Sequence, residues 1–362
     1  MRRLLAAAAT LDNLSAALDG TGPALLPSTD PRVLDVLRPD EPLEHDNVAL
    51  VVPTSGSTGK PKGALLTAAN VRASAEASAQ HLGGDGQWLL AIPATHIGGL
   101  QVLIRSLLAG TVPVLLEGPT TVSSFEAATA QLTASKRFVS IVPTQLRRLV
   151  DSPALLAYDA VLLGGAAAPP TLLARAREAG VRVVTTYGMS ETSGGCVYDG
   201  VGLAGVTFAL DDRTHRIRLS GPVVGRGYRL RPDLTATSFD KHSFLTADFG
   251  ELDDAGRLVV LGRADHVIVT GGEKVAPASV EDVLGEHPAV AELAVVGISD
   301  AEWGHRVVAC VVLRPGQTLT LEQAREHVAA RLPRAAAPRE LRVLDALPLL
   351  GSGKIDRMRL AR

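Results

Sequence analysis

Between residues 48 and about 190, short apolar runs alternate with stretches of helical spacing, and this alternation admits few folds. The apolar runs are Val48–Val52, Trp88–Ile92, Thr111–Leu116, Phe138–Val142, Ala160–Leu163 and Val181–Thr185. Helical patterns fall near Thr67–Leu82, Gly98–Ala109, Ser123–Ser135, Thr144–Val150 and Pro170–Ala179. Strands alternating with helices predict a parallel sheet covered on both faces. Such sheets bind ligands beyond the C-terminal ends of their strands. Thr54–Gly63, Gly164-Gly165 and Tyr187-Gly188 each follow an apolar run, so all three are expected on that edge.

The first of these segments reads Thr54-Ser55-Gly56-Ser57-Thr58-Gly59-Lys60-Pro61-Lys62-Gly63. Its glycines permit a tight turn, while hydroxyls, backbone N–H groups and two lysines supply donors and charge for a polyphosphate. It is not a Walker-type loop, which needs a glycine, four residues, then Gly-Lys-Ser/Thr. Here Gly56 and Gly59 are too close, and Pro61 follows Lys60.

The remaining chain divides by texture. From about 195 to 262, short strands with Asp and Gly punctuation, such as Arg216–Leu219, predict an antiparallel β-rich subdomain. Beyond Asp265 a mixed α+β segment follows, with a strand near Val307–Leu313 and a helix near Glu322–Arg331. The expected division is residues 1–264 and 265–362. At the start, Arg2-Arg3 and Leu4–Ala9 have the opening of a signal peptide, but the run breaks at Asp12-Asn13. Leu11, Leu14 and Leu18 predict an ordinary amphipathic helix instead.

A net charge of −2 gives no general attraction to nucleic acid or an anionic membrane, so any anion site must be local. Cys196 and Cys310 show no metal or redox spacing, which fits a reducing cytoplasm. No stretch has the length of a transmembrane helix.

Five stretches in register resemble the adenylate-forming superfamily of acyl-CoA synthetases, luciferases and peptide-synthetase adenylation domains. They are the Thr54–Gly63 loop, Tyr187-Gly188-Met189-Ser190-Glu191, Thr246-Ala247-Asp248, Gly262-Arg263-Ala264-Asp265 with the stretch through Gly271-Gly272 to Pro277 and Glu281, and Gly353-Lys354-Ile355-Asp356-Arg357. The resemblance implies an α/β fold: a large domain with a helix-flanked parallel sheet and a β-rich subdomain, then a small mobile α+β domain. Most of the superfamily carries a much longer segment ahead of the phosphate loop, so a reduced N-terminal subdomain is expected.

The implied reaction joins a carboxylate to AMP and then to a thiol. Thr54, Ser55, Gly56, Ser57, Thr58, Gly59, Lys60 and Lys62 would hold the β- and γ-phosphates of ATP, and Glu191 would coordinate Mg²⁺ beside Ser190. Asp248 would accept the ribose hydroxyls, and Arg263 would contact ribose or α-phosphate. Tyr187 and Gly188 on one side, and Gly164, Gly165 and Ala166 on the other, would enclose adenine. Lys354 would reach the α-phosphate during adenylation. Asp265 would be the hinge of a domain rotation that brings Gly271 and Gly272 to a coenzyme A tunnel. The departures are Ala247 for glycine and Leu349-Leu350 ahead of the lysine loop.

His96-Ile97-Gly98-Gly99 resembles the family's histidine motif at the acyl pocket. With Leu100, Ile104, Leu107 and Leu108 as the buried stripe, Gln101 and Arg105 share an adjoining face. An arginine in an apolar pocket points to a second substrate carboxylate. With the short N-terminus, this stretch resembles the compact actinobacterial o-succinylbenzoate–CoA ligases of menaquinone biosynthesis. Ligation of another acid, loading of a carrier protein, and a homodimer remain open alternatives. A non-enzymatic ATP-binding protein is disfavoured by the joint presence of Lys354, Glu191 and Asp248.

Overall fold

The computed structural model describes residues 2–55, 61–351 and 353–362. The predicted phosphate-loop residues Gly56, Ser57, Thr58, Gly59 and Lys60, and the Ser55 side chain, lie outside them.

The central sheet has seven strands. Val114–Leu115, Gln87–Leu90, Arg137–Ile141, Ala160–Leu163 and Val183–Met189 run parallel in that spatial order. Gly194–Tyr198 and Val201–Gly202 extend it antiparallel. Tyr187 and Gly188 therefore lie inside the last parallel strand rather than after it, because Gly194–Tyr198 folds back and keeps the strand paired through Met189.

Val48–Ser55 does not join this sheet. It turns back antiparallel onto Pro61–Thr67 within a separate five-stranded sheet, with Thr54 opposite Lys62. The polar opening Pro61-Lys62-Gly63 hides that partner strand from a hydrophobicity reading. Leu4–Ala6 is an edge strand of this same sheet, and the predicted N-terminal helix begins at Leu11, where Thr10 and Asn13 cap each other.

Two helices, Ala68–Leu82 and Ile97–Leu108, are packed between the sheets. Leu100, Leu103 and Ile104 join the core of the first sheet, while Val102 joins that of the central sheet. A helix with apolar neighbours on both sides is buried around its circumference. This explains why Gln101 and Arg105 are only 1% and 7% exposed, whereas the predicted stripe residue Leu108, at the helix end, is 36% exposed.

The β-rich subdomain is an antiparallel sheet of Thr207–Leu210, Arg216–Ser220, Ser243–Leu252 and Phe239–Asp240, with Leu258–Arg263 paired to Ser243–Leu252. The small domain's sheet starts at Ile268–Thr270 and is carried by the long pair Val290–Asp300 and Gly304–Leu313. Val280 and Leu284 of helix Pro277–Gly285 and Ala324 and Val328 of helix Leu321–Ala329 complete its core.

One arginine fastens the polar segment ahead of Val48 to the large domain. The Arg229 side chain is fully buried and donates to the carbonyls of Leu37, Pro42, Arg38 and Glu41 and to the Glu44 carboxylate. A planar guanidinium has five donors in a fixed fork, whereas an ammonium has three. Arg229→Met is expected to lower unfolding free energy by about 3–5 kcal/mol, the scale of an abandoned buried partner. Arg229→Lys should recover little of it, as measured by urea denaturation.

Candidate active site

Several of the described site residues, Gly164, Gly165, Tyr187, Asp248, Arg263 and Lys354 among them, gather where the central sheet's C-terminal edge meets the β-rich subdomain and the small domain. Gly164 and Gly165 follow strand Ala160–Leu163, and both meet close neighbours. A Cβ on Gly164 would lie 2.3 Å from the Thr186 hydroxyl. Gly165 has φ +83°, and a Cβ there would lie 3.1 Å from Cε of Lys354. Ala166 is exposed beside them. Gly188 is equally constrained, since a Cβ would lie 2.1 Å from the Gly194 carbonyl oxygen.

Lys354 arrives on a hairpin of the small domain. Leu349 bridges Ile355, and the Leu350 amide donates to the Lys354 carbonyl at 2.8 Å. The hairpin base is anchored by Arg357, which donates to both Glu281 carboxylate oxygens at 2.6 and 2.9 Å and to the Val295 carbonyl. The lysine keeps solvent-accessible surface, yet protein crowds its ammonium. Burial and then the Arg263 charge lower its pKa from the ordinary 10.5, with Asp248 and Glu191 opposing. His96, half-buried ahead of helix Ile97–Leu108, is lowered by burial and then by the Lys354 charge. Its imidazole is therefore mainly neutral near pH 7.

Asp248 is 6% exposed and sits where strands Ser243–Leu252 and Leu258–Arg263 pair. It accepts from the Tyr187 hydroxyl at 2.8 Å and from Arg263 at 3.3 Å. The Thr246 hydroxyl accepts from the Asp248 amide and donates to its carbonyl, fixing the local bend. Arg263 also grips both oxygens of Asp265, at 2.9 and 3.0 Å. The expected hinge residue is thus tied to the expected ribose residue through one guanidinium.

Ser190 and Glu191, both 8% exposed, occupy a 3₁₀ turn. Ser193 closes the turn at φ +56°, and its carbonyl accepts from Ser74 and from Gln101 at 3.0 and 2.7 Å. Gln101 therefore braces the turn that carries Glu191. The Tyr228 hydroxyl donates to Glu191 at 2.6 Å, and Lys62 lies 5.2 Å over the Tyr228 ring. Burial, then the Glu191 charge, raises the Tyr228 pKa and keeps it a donor. Tyr228 was not among the residues expected. The signal lay in composition: the chain has only four tyrosines, and each hydroxyl finds a polar side-chain partner.

Arg105 is not brought to this edge. It lies nine residues beyond His96, about 13 Å along a helix. Its guanidinium is 4.8 Å from the Trp88 ring centroid and donates to Tyr198 at 3.3 Å. Trp88 is near the start of its strand, the end away from the nucleotide edge. Arg105 also lines a crevice of about 320 Å³ with Ala75, Glu76, Ala79, Asp85 and Leu108, between two helices. Gly98 lies near Ile92 at the His96 end of the same helix. Gly271 and Gly272 form an exposed hairpin tip, with φ +57° and +83° as a two-residue turn requires.

The AMP-binding enzyme family matches residues 5–231, and the AMP-binding enzyme C-terminal domain matches residues 279–354. The chain belongs to the AMP-binding enzymes. It is 48% identical to a probable 2-succinylbenzoate–CoA ligase of Mycobacterium tuberculosis H37Rv, over 99% of this chain and 95% of that protein. It is 33% identical to the 2-succinylbenzoate–CoA ligase of Geobacillus kaustophilus, over 97% and 76% respectively. Among solved structures it resembles o-succinylbenzoate CoA synthetase of Bacillus subtilis in complex with the acyl-adenylate OSB-AMP. That match has a TM-score of 0.77 and 30% identity, covering 98% of this chain and 81% of that one. The Bacillus enzyme with ATP and magnesium matches with a TM-score of 0.74 and 33% identity, over 87% and 70%.

Two expectations follow for the AMP-binding site. If Lys354 meets phosphate charge, it does so protonated, and activity should then fall as pH rises through its pKa. Because that pKa is lowered, the alkaline limb of kcat/KM for adenylation should lie below pH 10.5 and move upward in Lys354→Arg. Arg105→Ala should reduce turnover of a dicarboxylate and of its monocarboxylate analogue alike, because the side chain braces Trp88 and Tyr198. A loss confined to the dicarboxylate in steady-state assays would instead place Arg105 on the substrate.

Proposed function

We propose that this AMP-binding enzyme is an ATP-dependent o-succinylbenzoate–CoA ligase acting through an acyl-adenylate, as part of menaquinone biosynthesis. The observation that carries the reaction type is the position of Lys354 against Gly165, in the electrostatic reach of Asp248, Glu191 and Arg263. A lysine carried by the small domain then faces the nucleotide site of the large one. The choice of acid is supported by the 48% identity to the mycobacterial ligase and by the likeness to the Bacillus synthetase with OSB-AMP.

In the first half-reaction a carboxylate oxygen of the acid bonds to the α-phosphorus. The bond to the bridging oxygen breaks, and pyrophosphate leaves with the electron pair. Lys354 meets the charge that develops there, the kind of preorganised contact that supplies most catalytic stabilisation. Asp248 accepts from the ribose hydroxyls, a carboxylate having about four acceptor sites and so room beside Tyr187 and Arg263. Thr54, Lys62 and the loop between them hold the outer phosphates. In the second half-reaction the thiolate of coenzyme A bonds to the acyl carbon and AMP leaves. Arg263 and Asp265 release their present geometry, and the Gly271-Gly272 hairpin lines the thiol path. His96 and Gly98 border the acyl group, and Gln101 supports the pocket through Ser193.

The residues present suit Mg²⁺. Among the described residues no cluster of three or more metal-ligating side chains occurs, so the protein's share would be the single buried carboxylate of Glu191 beside Ser190. Magnesium is usually held by one or two carboxylates together with substrate phosphates. Bound there, it would neutralise phosphate charge. Among the described residues no helix is long and apolar enough to cross a membrane. A cytoplasmic location is part of this proposal, in keeping with the two free cysteines.

A pyrophosphate-release screen over carboxylic acids, with and without coenzyme A, tests the assignment. o-Succinylbenzoate should give the highest kcat/KM, and a free thioester should accumulate only with coenzyme A. Absence of thioester with all acids would favour carrier-protein loading. Lys354→Ala should slow acyl-adenylate formation by about 10²-fold or more, while thioester formation from supplied acyl-adenylate is much less affected.

A further inference from the structure

Helix Pro143–Leu149 of the large domain touches the small domain at two separate points. At its first turn, the Thr144 hydroxyl donates to the Gly353 carbonyl at 2.9 Å, one residue before Lys354. Val142, just ahead of the helix, packs there too. A Cβ on Gly353, which has φ +78°, would lie 3.2 Å from Val142, and one on Gly165 would lie 3.3 Å from the same side chain. A turn further on, Arg147 pairs with Glu292 of strand Val290–Asp300 at 3.5 Å, both side chains about three-quarters buried. Arg357, which anchors the lysine hairpin, donates to Val295 on that same strand.

We infer that Thr144 and the Arg147–Glu292 pair are positioning residues for the adenylation half-reaction, forming a dock that seats the small domain with Lys354 over the nucleotide. Neither point carries chemistry itself. Thr144 sets the height of the lysine loop through a backbone carbonyl, and Arg147 sets the angle of the strand behind it. A contact made in one domain orientation and broken in the other shifts the balance between them by its own free energy. Weakening the dock must therefore act in opposite senses on the two half-reactions. Adenylation loses a populated, aligned lysine. Thioester formation, which requires the small domain to rotate away, loses only a restraint.

This rests on the assignment of Lys354 to adenylation, and the experiment separates the two. Acid-dependent ATP–pyrophosphate exchange reports the first half-reaction, and thioester formation from supplied o-succinylbenzoyl-adenylate and coenzyme A reports the second. Thr144→Val should lower the exchange kcat by about 3- to 10-fold, the scale of one net hydrogen bond. The KM for ATP should stay near wild type, because Thr144 touches no nucleotide, and Thr144→Ser should restore the rate. Arg147→Glu and Glu292→Arg should each lower exchange, and the double variant should recover most of it. In all of these, thioester formation should be unchanged or faster. Equal losses in both half-reactions, no advantage of Ser over Val, or no recovery in the double variant would overturn the dock. If Lys354→Ala abolishes exchange while the dock variants match wild type, only the dock fails. If Lys354→Ala exchanges normally, both assignments fail together.

Discussion

The contact between Lys354 and Gly165 is the constraint on which the rest of the site depends. A long cationic side chain from one domain lies against bare backbone of another, at a residue with φ +83° where a Cβ would stand 3.1 Å from the lysine chain. Glycine serves twice here: it accepts the left-handed conformation and leaves room for the lysine. Everything that places Lys354 works to make this one approach reproducible. The hairpin ending at Arg357, its grip on Glu281, and the dock on helix Pro143–Leu149 each fix a different degree of freedom.

Around that contact the charged groups are held by neutral partners. Glu191 is steadied by Tyr228 and Asp248 by Tyr187, two phenols whose pKa values burial pushes upward so that they remain donors. A carboxylate bonded by a hydroxyl keeps its full charge for a cation or a ribose. One paired to an arginine would have part of it cancelled. Arg263 is the exception, shared between Asp248 and Asp265, and it links the nucleotide site to the segment that joins the domains. A ligand taken up at Asp248, as proposed for the ribose, would bear on the same guanidinium that holds Asp265.

The helix Ile97–Leu108 shows how a local pattern leaves the surroundings of its polar residues undetermined. Its helical spacing and its start beside His96 were visible in the sequence, and Gln101 and Arg105 do share a face. By sequence alone, an arginine among apolar residues points to an anionic substrate. In the fold that face meets the core between two sheets, where Trp88, Tyr198 and Ser193 meet part of its polar groups while Gln101 Oε1 and Arg105 Nε are buried without a hydrogen-bond partner among the described residues. The sequence cannot reveal this, because the burial of a helix's second face depends on a sheet built from residues far away.

What the sequence determined by itself follows from short-range physics. Apolar runs and helical spacing located the parallel strands and their helices, since burial on one face requires that periodicity. The resemblance of the motif stretches singled out Lys354, Asp248, Glu191 and Tyr187, residues that the fold brings close to one another. The tertiary structure alone decided the pairings across distance. Thr144 meets Gly353 across 209 residues, Tyr228 meets Glu191, and Val48–Ser55 turns back on Pro61–Thr67 instead of entering the parallel sheet. None of these leaves a local signature. A hydroxyl's partner depends on which surfaces folding brings within hydrogen-bond distance, and no pattern within a few residues encodes that.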